Sequence, residues 1–68
     1  MNITELRYLV AIKKWGSVSA AAKQLYAAQP NVSKALKNLE GEYGLRIFER
    51  SSTGMIPTEQ GRRFIEQA

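Results

Sequence analysis

Three runs of apolar residues at helical spacing, each bounded by glycine or proline, constrain this chain more than any other feature. Ile3, Leu6, Leu9 and Val10 form the first run, and Ile12 broadens its apolar side. Val18, Ala21, Ala22 and Leu25 form a shorter second run. Val32, Leu36, Leu39 and Tyr43 step by four, three and four in the third. Such spacing puts side chains on one face of an α-helix. Gly16 fits the end of the first run and Gly44 the end of the third, while Pro30 suits the first turn of a helix. The pattern predicts a helix over about residues 3–15, started by Asn2 or Thr4. It predicts a short second helix with Ser17 as N-cap, and a third helix from about Pro30 to Gly44. Between the last two, Tyr26, Ala27 and Ala28 leave room only for a tight turn. Gly41 lies near the end of the third helix, where an interior glycine costs about 1 kcal/mol relative to alanine.

The pattern changes at Leu45. Leu45, Ile47 and Phe48 come close together, Ser51-Ser52-Thr53-Gly54 is rich in turn formers, and Met55-Ile56-Pro57 follows. This predicts a two-stranded hairpin at about residues 46–57, with Pro57 at its edge or exit. Thr58 then fits the N-cap of a fourth helix, with Glu59 near its positive end. That helix carries Phe64 and Ile65 and reaches Ala68 without a stop signal, as expected of a helix interrupted in mid-pattern. The expected core is Leu6, Leu9, Val10, Ala22, Leu25, Val32, Leu36, Leu39, Ile47 and Phe48. The order of elements is that of a mainly α winged helix-turn-helix. It comprises three helices and a two-stranded wing over residues 1–57, with the start of a linker or dimerisation helix over 58–68.

Composition narrows the chemistry. The 68 residues include no cysteine and no histidine. No disulfide supports so small a core, and the commonest general base and zinc ligand are missing. With no paired carboxylates at a plausible pocket either, no catalytic constellation stands out, and the chain reads as a binding module rather than an enzyme. No metal or cofactor is expected. The lack of cysteine fits a reducing cytoplasm, and no apolar run approaches the ~18 residues that span a bilayer. The net charge is +4, and from Lys13 to Lys37 five lysines occur without one acidic residue. A basic stretch of this kind suits a polyanionic partner, nucleic acid before anionic membrane.

The third helix shows which polyanion. Packing Val32, Leu36 and Leu39 inward exposes Gln29, Pro30, Asn31, Ser33, Lys34, Lys37 and Asn38. Gln and Asn can bond adenine bidentately, Lys can donate to guanine, and Ser can serve either edge. No carboxylate occurs on this helix before Glu40, whereas a merely solvated face usually mixes signs. Gln29, Pro30, Asn31, Ser33 and Lys34 are therefore the candidate base contacts, in the part of a recognition helix that does most of the reading. Ser17, Lys37, Arg50 and Ser51 are candidates for the backbone or minor groove. Arg50 can instead pair with Glu49 or Glu40, and Ser17 is chiefly a cap. Tyr8 and Tyr26 fit packing positions with a wet hydroxyl, and Trp15 a partly buried ring closing the first helix. Phe64 and Ile65 are expected to need cover from a second copy, because so short a helix gains little stability alone. An RNA-binding module would stack bases on exposed aromatics, yet most of the six aromatics sit at core spacing. A winged helix turned over to protein interaction differs in one measurable way, the lack of salt-dependent binding to duplex.

These residues also carry a resemblance. LRYLVAI, GSVSAAAKQL, QPNVSKALKNLE, GLRIFER and PTEQG run in order without a gap. From Met1 to about Thr58 the chain resembles the N-terminal domain of LysR-type transcriptional regulators, most specifically in its QP-x-x-S-K and IFER segments. The resemblance implies a bacterial regulator in which such a domain joins, through a linker helix, a larger effector-binding domain. It implies a dimer or tetramer on double-stranded promoter DNA, with any small-molecule effector bound by the other domain. It further implies that Gln29, Pro30, Ser33 and Lys34 lie at the DNA end of the recognition helix, and that Arg50 reaches out from the wing. Ala21, Ala22 and Leu25 would be packing positions, and Phe64 and Ile65 would lie where the family dimerises. Position 28 is often serine in the family. Ala28 cannot cap the third helix with its side chain, a loss of about 1 kcal/mol. Lys34 replaces the commoner arginine and with it the planar fork that grips guanine. Lys13 and Trp15 are also unusual.

Overall fold

The computed structural model describes residues 2–67. It contains α1 (Ile3–Trp15), α2 (Val18–Gln24), α3 (Gln29–Tyr43), β1 (Phe48–Ser51), β2 (Gly54–Pro57) and α4 (Glu59–Gln67). Each start has a local cause. The Asn2 side chain accepts from the Glu5 amide at 2.8 Å while the Glu5 carboxylate accepts from the Asn2 amide at 3.0 Å, a reciprocal capping box. Ser17 Oγ accepts from the Ala20 amide at 2.9 Å and starts α2. Thr58 Oγ1 accepts from the Gly61 amide at 2.9 Å and starts α4. At α3 no side chain caps the helix, because Ala28 has none to offer, and Pro30 occupies the first turn. Gly16 and Gly44 end α1 and α3 in the left-handed conformation.

The strands pair antiparallel in the register Phe48 with Pro57, Glu49 with Ile56, Arg50 with Met55 and Ser51 with Gly54. Pro57, whose nitrogen cannot donate, is the last residue of its strand. Ser51 Oγ donates to the Gly54 carbonyl at 2.8 Å and accepts from the Thr53 amide at 3.3 Å, closing the tip. The hairpin is pinned to the helices by the Met55 amide, which donates to the Gly16 carbonyl at 2.7 Å. Gly54 makes that approach possible, since a Cβ there would lie 2.6 Å from the Gly16 oxygen.

Leu9, Ile12, Ala21, Val32, Leu39 and Ile47 are the most deeply buried residues, with Ala11, Ala22, Leu36, Phe48 and Ile65 around them. The expected core is thus largely present, with one correction. Val10 is 47% exposed, and the inward residues of α1 are Leu9, Ala11 and Ile12. Helix α1 touches α2, α3, β2 and α4, so its buried face is set by several neighbours rather than by one stripe. Leu6 and Leu25 are half-buried. Helix α4 adds to this core. Ile65 belongs to this chain's own core, and Phe64 stacks tilted on the Tyr43 ring with centroids 4.8 Å apart. Ile65 is covered within its own chain, and Phe64 remains half-buried. Partial desolvation of Tyr43, with the Glu42 and Glu5 carboxylates near it, raises its phenol above the usual tyrosine pKa. No helix among the described residues is long and apolar enough to cross a membrane.

Candidate nucleic-acid interface

Burial of Val32, Leu36 and Leu39 turns the rest of α3 to solvent. Pro30, Lys34, Lys37 and Gly41 follow at i, i+4, i+7 and i+11 and form the centre of the exposed face. Gln29 and Ser33 lie in the next row, with Gln29 exposed and Ser33 half-buried; Asn31 and Asn38 are exposed on the opposite flank. The structure therefore brings Gln29, Pro30, Asn31, Ser33 and Lys34 together around the first turns of α3. Lys37 stands one turn further along. No carboxylate occurs on α3 before Glu40, which continues the row of Gln29 and Ser33 but is half-buried with its carboxylate on the Ile47 amide; Glu42 lies near the helix end.

The hairpin supplies a second positive element. Side chains alternate along a strand, so Arg50 shares a face with Phe48 and with its cross-strand partner Met55. Phe48 is buried and Met55 packs on the core, which places Arg50 on the side of the hairpin turned toward the helices. Glu49 and Ile56 occupy the outer side. Of the two carboxylates offered as alternative partners for Arg50, Glu49 lies on the outer side of the hairpin and the Glu40 carboxylate accepts from the Ile47 amide at 2.8 Å. Among the described residues the ion pair present is Arg63 with Glu59 at 3.1 Å, both exposed. Ser17 and Ser51 stand at opposite ends of their tasks. The Ser17 hydroxyl oxygen is engaged as a cap, and the Ser51 hydroxyl proton is given to the Gly54 carbonyl. Phe64 and Ile65 lie inside or against the domain core and not on this surface.

Two residues take places that sequence reasoning missed. Tyr26 is not a packing residue: it is 98% exposed in the turn between α2 and α3, with a left-handed φ of 55°. The signal was its position in a turn too short to bury a large ring. Arg7 lines a cleft of about 390 Å³ shared with Tyr8, Tyr26 and Asn31, beside the start of α3. Trp15 is partly covered, at 44% exposed, with the Lys14 ammonium 5.3 Å from its ring centroid.

Comparison with known proteins places this geometry. The model of the family described as "Bacterial regulatory helix-turn-helix protein, lysR family" matches residues 3–62. The HTH-type transcriptional regulator YcgK of Bacillus subtilis (strain 168), itself described as uncharacterized, is 43% identical over 68 residues. That match takes in 100% of this chain and 21% of YcgK. The chain spans about a fifth of the length of the curated relatives it matches first. Among solved structures, the DNA-binding domain of CbnR in complex with DNA superposes with a TM-score of 0.88 at 34% identity, over 98% of this chain and 77% of that one. The DNA-binding domain of BenM on benA site 1 DNA gives 0.89 at 37% identity, over 98% and 78%.

Proposed function

The chain belongs to the lysR family of bacterial regulatory helix-turn-helix proteins, and on that premise we propose that it binds double-stranded promoter DNA sequence-specifically, as the DNA-binding domain of a transcriptional regulator. In this reading α3 enters the major groove. Gln29, Pro30, Asn31, Ser33 and Lys34 meet base edges, and Lys37, Arg50, Ser17 and Ser51 face the backbone or minor groove. The observation that carries the reading is the exposed face of α3, polar and basic and free of carboxylate before Glu40. Groove-edge chemistry needs those side chains and a net positive field to hold them against phosphate. YcgK is described as a transcriptional regulator, and the two solved neighbours named above are DNA complexes. The domain works without a cofactor and in the cytoplasm, and residues 58–68 begin the helix that links it to the rest of a longer regulator. Dimerisation presents two copies of α3 to half-sites of a partly palindromic operator.

The test is a selection of bound duplexes from a random-sequence library by the 68-residue chain, followed by titration of the winner at two salt concentrations. An enriched motif bound more tightly than scrambled duplex, with affinity falling as salt rises, is expected. No enrichment, or no binding at low salt, refutes the reading and favours a winged helix that serves protein contacts.

A further inference from the structure

The hairpin base is held by an acid on the recognition helix. Glu40 Oε2 accepts from the Ile47 amide at 2.8 Å and stands 3.5 Å from the Phe48 amide. The backbone carbonyl of the same residue accepts from the Gly44 and Leu45 amides and closes the end of α3. Ile47, fully buried, is also fixed from its other side, since its carbonyl accepts from the Thr58 amide at 3.0 Å. Thr58 Oγ1 donates to the neighbouring Arg46 carbonyl. The peptide that enters β1 is thus held at its amide by α3 and at its carbonyl by the start of α4. Arg50 lies three residues beyond this peptide, on the side of the hairpin facing the helices. Gln29 lies eleven residues before Glu40, about 16 Å away along the axis of α3.

We infer that Glu40 is a positioning residue for DNA recognition: its carboxylate sets the hairpin against α3 and so fixes where Arg50 stands relative to the base-reading end of the helix. The inference rests on the DNA-binding reading given above. It follows from geometry and bond strength. A carboxylate accepting backbone N–H groups makes a charge-assisted bond, stronger than a neutral one. Without it, the part-buried Ile47 amide loses its acceptor, and the hairpin entrance shifts to reach another. Near its tip the hairpin remains tied through Met55 to Gly16. The loss of Glu40 therefore frees the hairpin entrance on its α3 side, while the ties to Gly16 and Thr58 keep the hairpin from being released.

A double-mutant cycle on the selected duplex separates positioning from general support. In the otherwise unchanged chain Arg50→Ala weakens binding roughly tenfold, as for a lost charge-assisted contact. In the Glu40→Ala background the same change costs less than about twofold, while the penalty of Gln29→Ala stays as it was. Ratios within one background cancel the uniform gain in affinity from removing a negative charge. Glu40→Gln, which keeps an acceptor of the same reach, restores most of the Arg50 penalty. If Glu40→Ala does not fold, Glu40→Asp, one methylene shorter, takes its place. An unchanged Arg50 penalty overturns the inference, as does loss of the Arg50 and Gln29 penalties together. If the unsubstituted chain binds no duplex, the DNA-binding reading fails instead. Amide residual dipolar couplings of the free domain then decide the geometry: residues 48–57 fit the alignment frame of α3 with Glu40 present and depart from it in the substituted chain. A hairpin that keeps its orientation without Glu40 refutes the clamp.

Discussion

Gln29 and Arg50 differ in what they can distinguish. The amide of Gln29 offers a donor and an acceptor to one base edge, so it can tell adenine from its alternatives; Arg50 offers only donors and charge. Gln29→Ala is expected to reorder the preferred sequences, at about 1–3 kcal/mol for a lost bidentate contact. Arg50→Ala should weaken all duplexes about equally. Competition between matched and mismatched operators checks both, and a uniform loss for Gln29→Ala would reverse the roles. The polar side chains of α3 could be named from sequence because their spacing follows from the stripe of Val32, Leu36 and Leu39. Glu40 could not. Its partners are amides seven and eight residues on, and their place depends on how the chain turns after Gly44. The surviving clue was that it sits beside Leu39, on the flank of a buried stripe, where a solvated charge does not belong.

Elements depend on glycine in two opposite ways. Gly41 is inside α3 and a Cβ there would touch nothing, so Gly41→Ala removes backbone entropy from the unfolded chain at no steric cost. It is expected to stabilise the domain by about 0.5–1 kcal/mol in denaturant unfolding. Gly61 is buried at the first turn of α4, and a Cβ there would come 1.9 Å from the Ile47 carbonyl oxygen. Gly61→Ala must move helix or hairpin base, and should destabilise by about 1–3 kcal/mol or more in the same experiment. Equal effects at the two positions would refute the packing of α4 described above. The helices and their caps were legible because caps are local: Asn2 with Glu5, Ser17 with Ala20, and Thr58 with Gly61 each span three residues. The inner face of α1 was less legible. Ile3, Leu6 and Val10 compete with Leu9 and Ile12 as apolar stripes on one helix, and spacing alone does not say which stripe the other elements cover.

For the whole molecule the governing quantity is charge. Three cations per domain, Lys34, Lys37 and Arg50, stand toward the proposed DNA path. Neutralising one phosphate each gives a log–log salt slope of roughly −2.7 per domain, at about −0.9 per phosphate. A slope near zero would contradict the arrangement. Because Ile65 serves its own core and Phe64 its own Tyr43, the 68-residue chain is expected to sediment as a monomer, whereas a chain extended beyond residue 68 should dimerise. A dimer of the short chain would point to another surface, such as the outer side of α1, where Ile3 and Val10 are exposed. The seat of Gly61 on the Ile47 carbonyl leaves no slack at the root of α4, so this helix departs as a fixed spoke and not as a hinged arm. Whatever is joined rigidly to a spoke inherits its bearing. Torque applied along α4 would turn the reading face through the same angle, and two such spokes bound to each other would hold the two faces at a set distance and tilt.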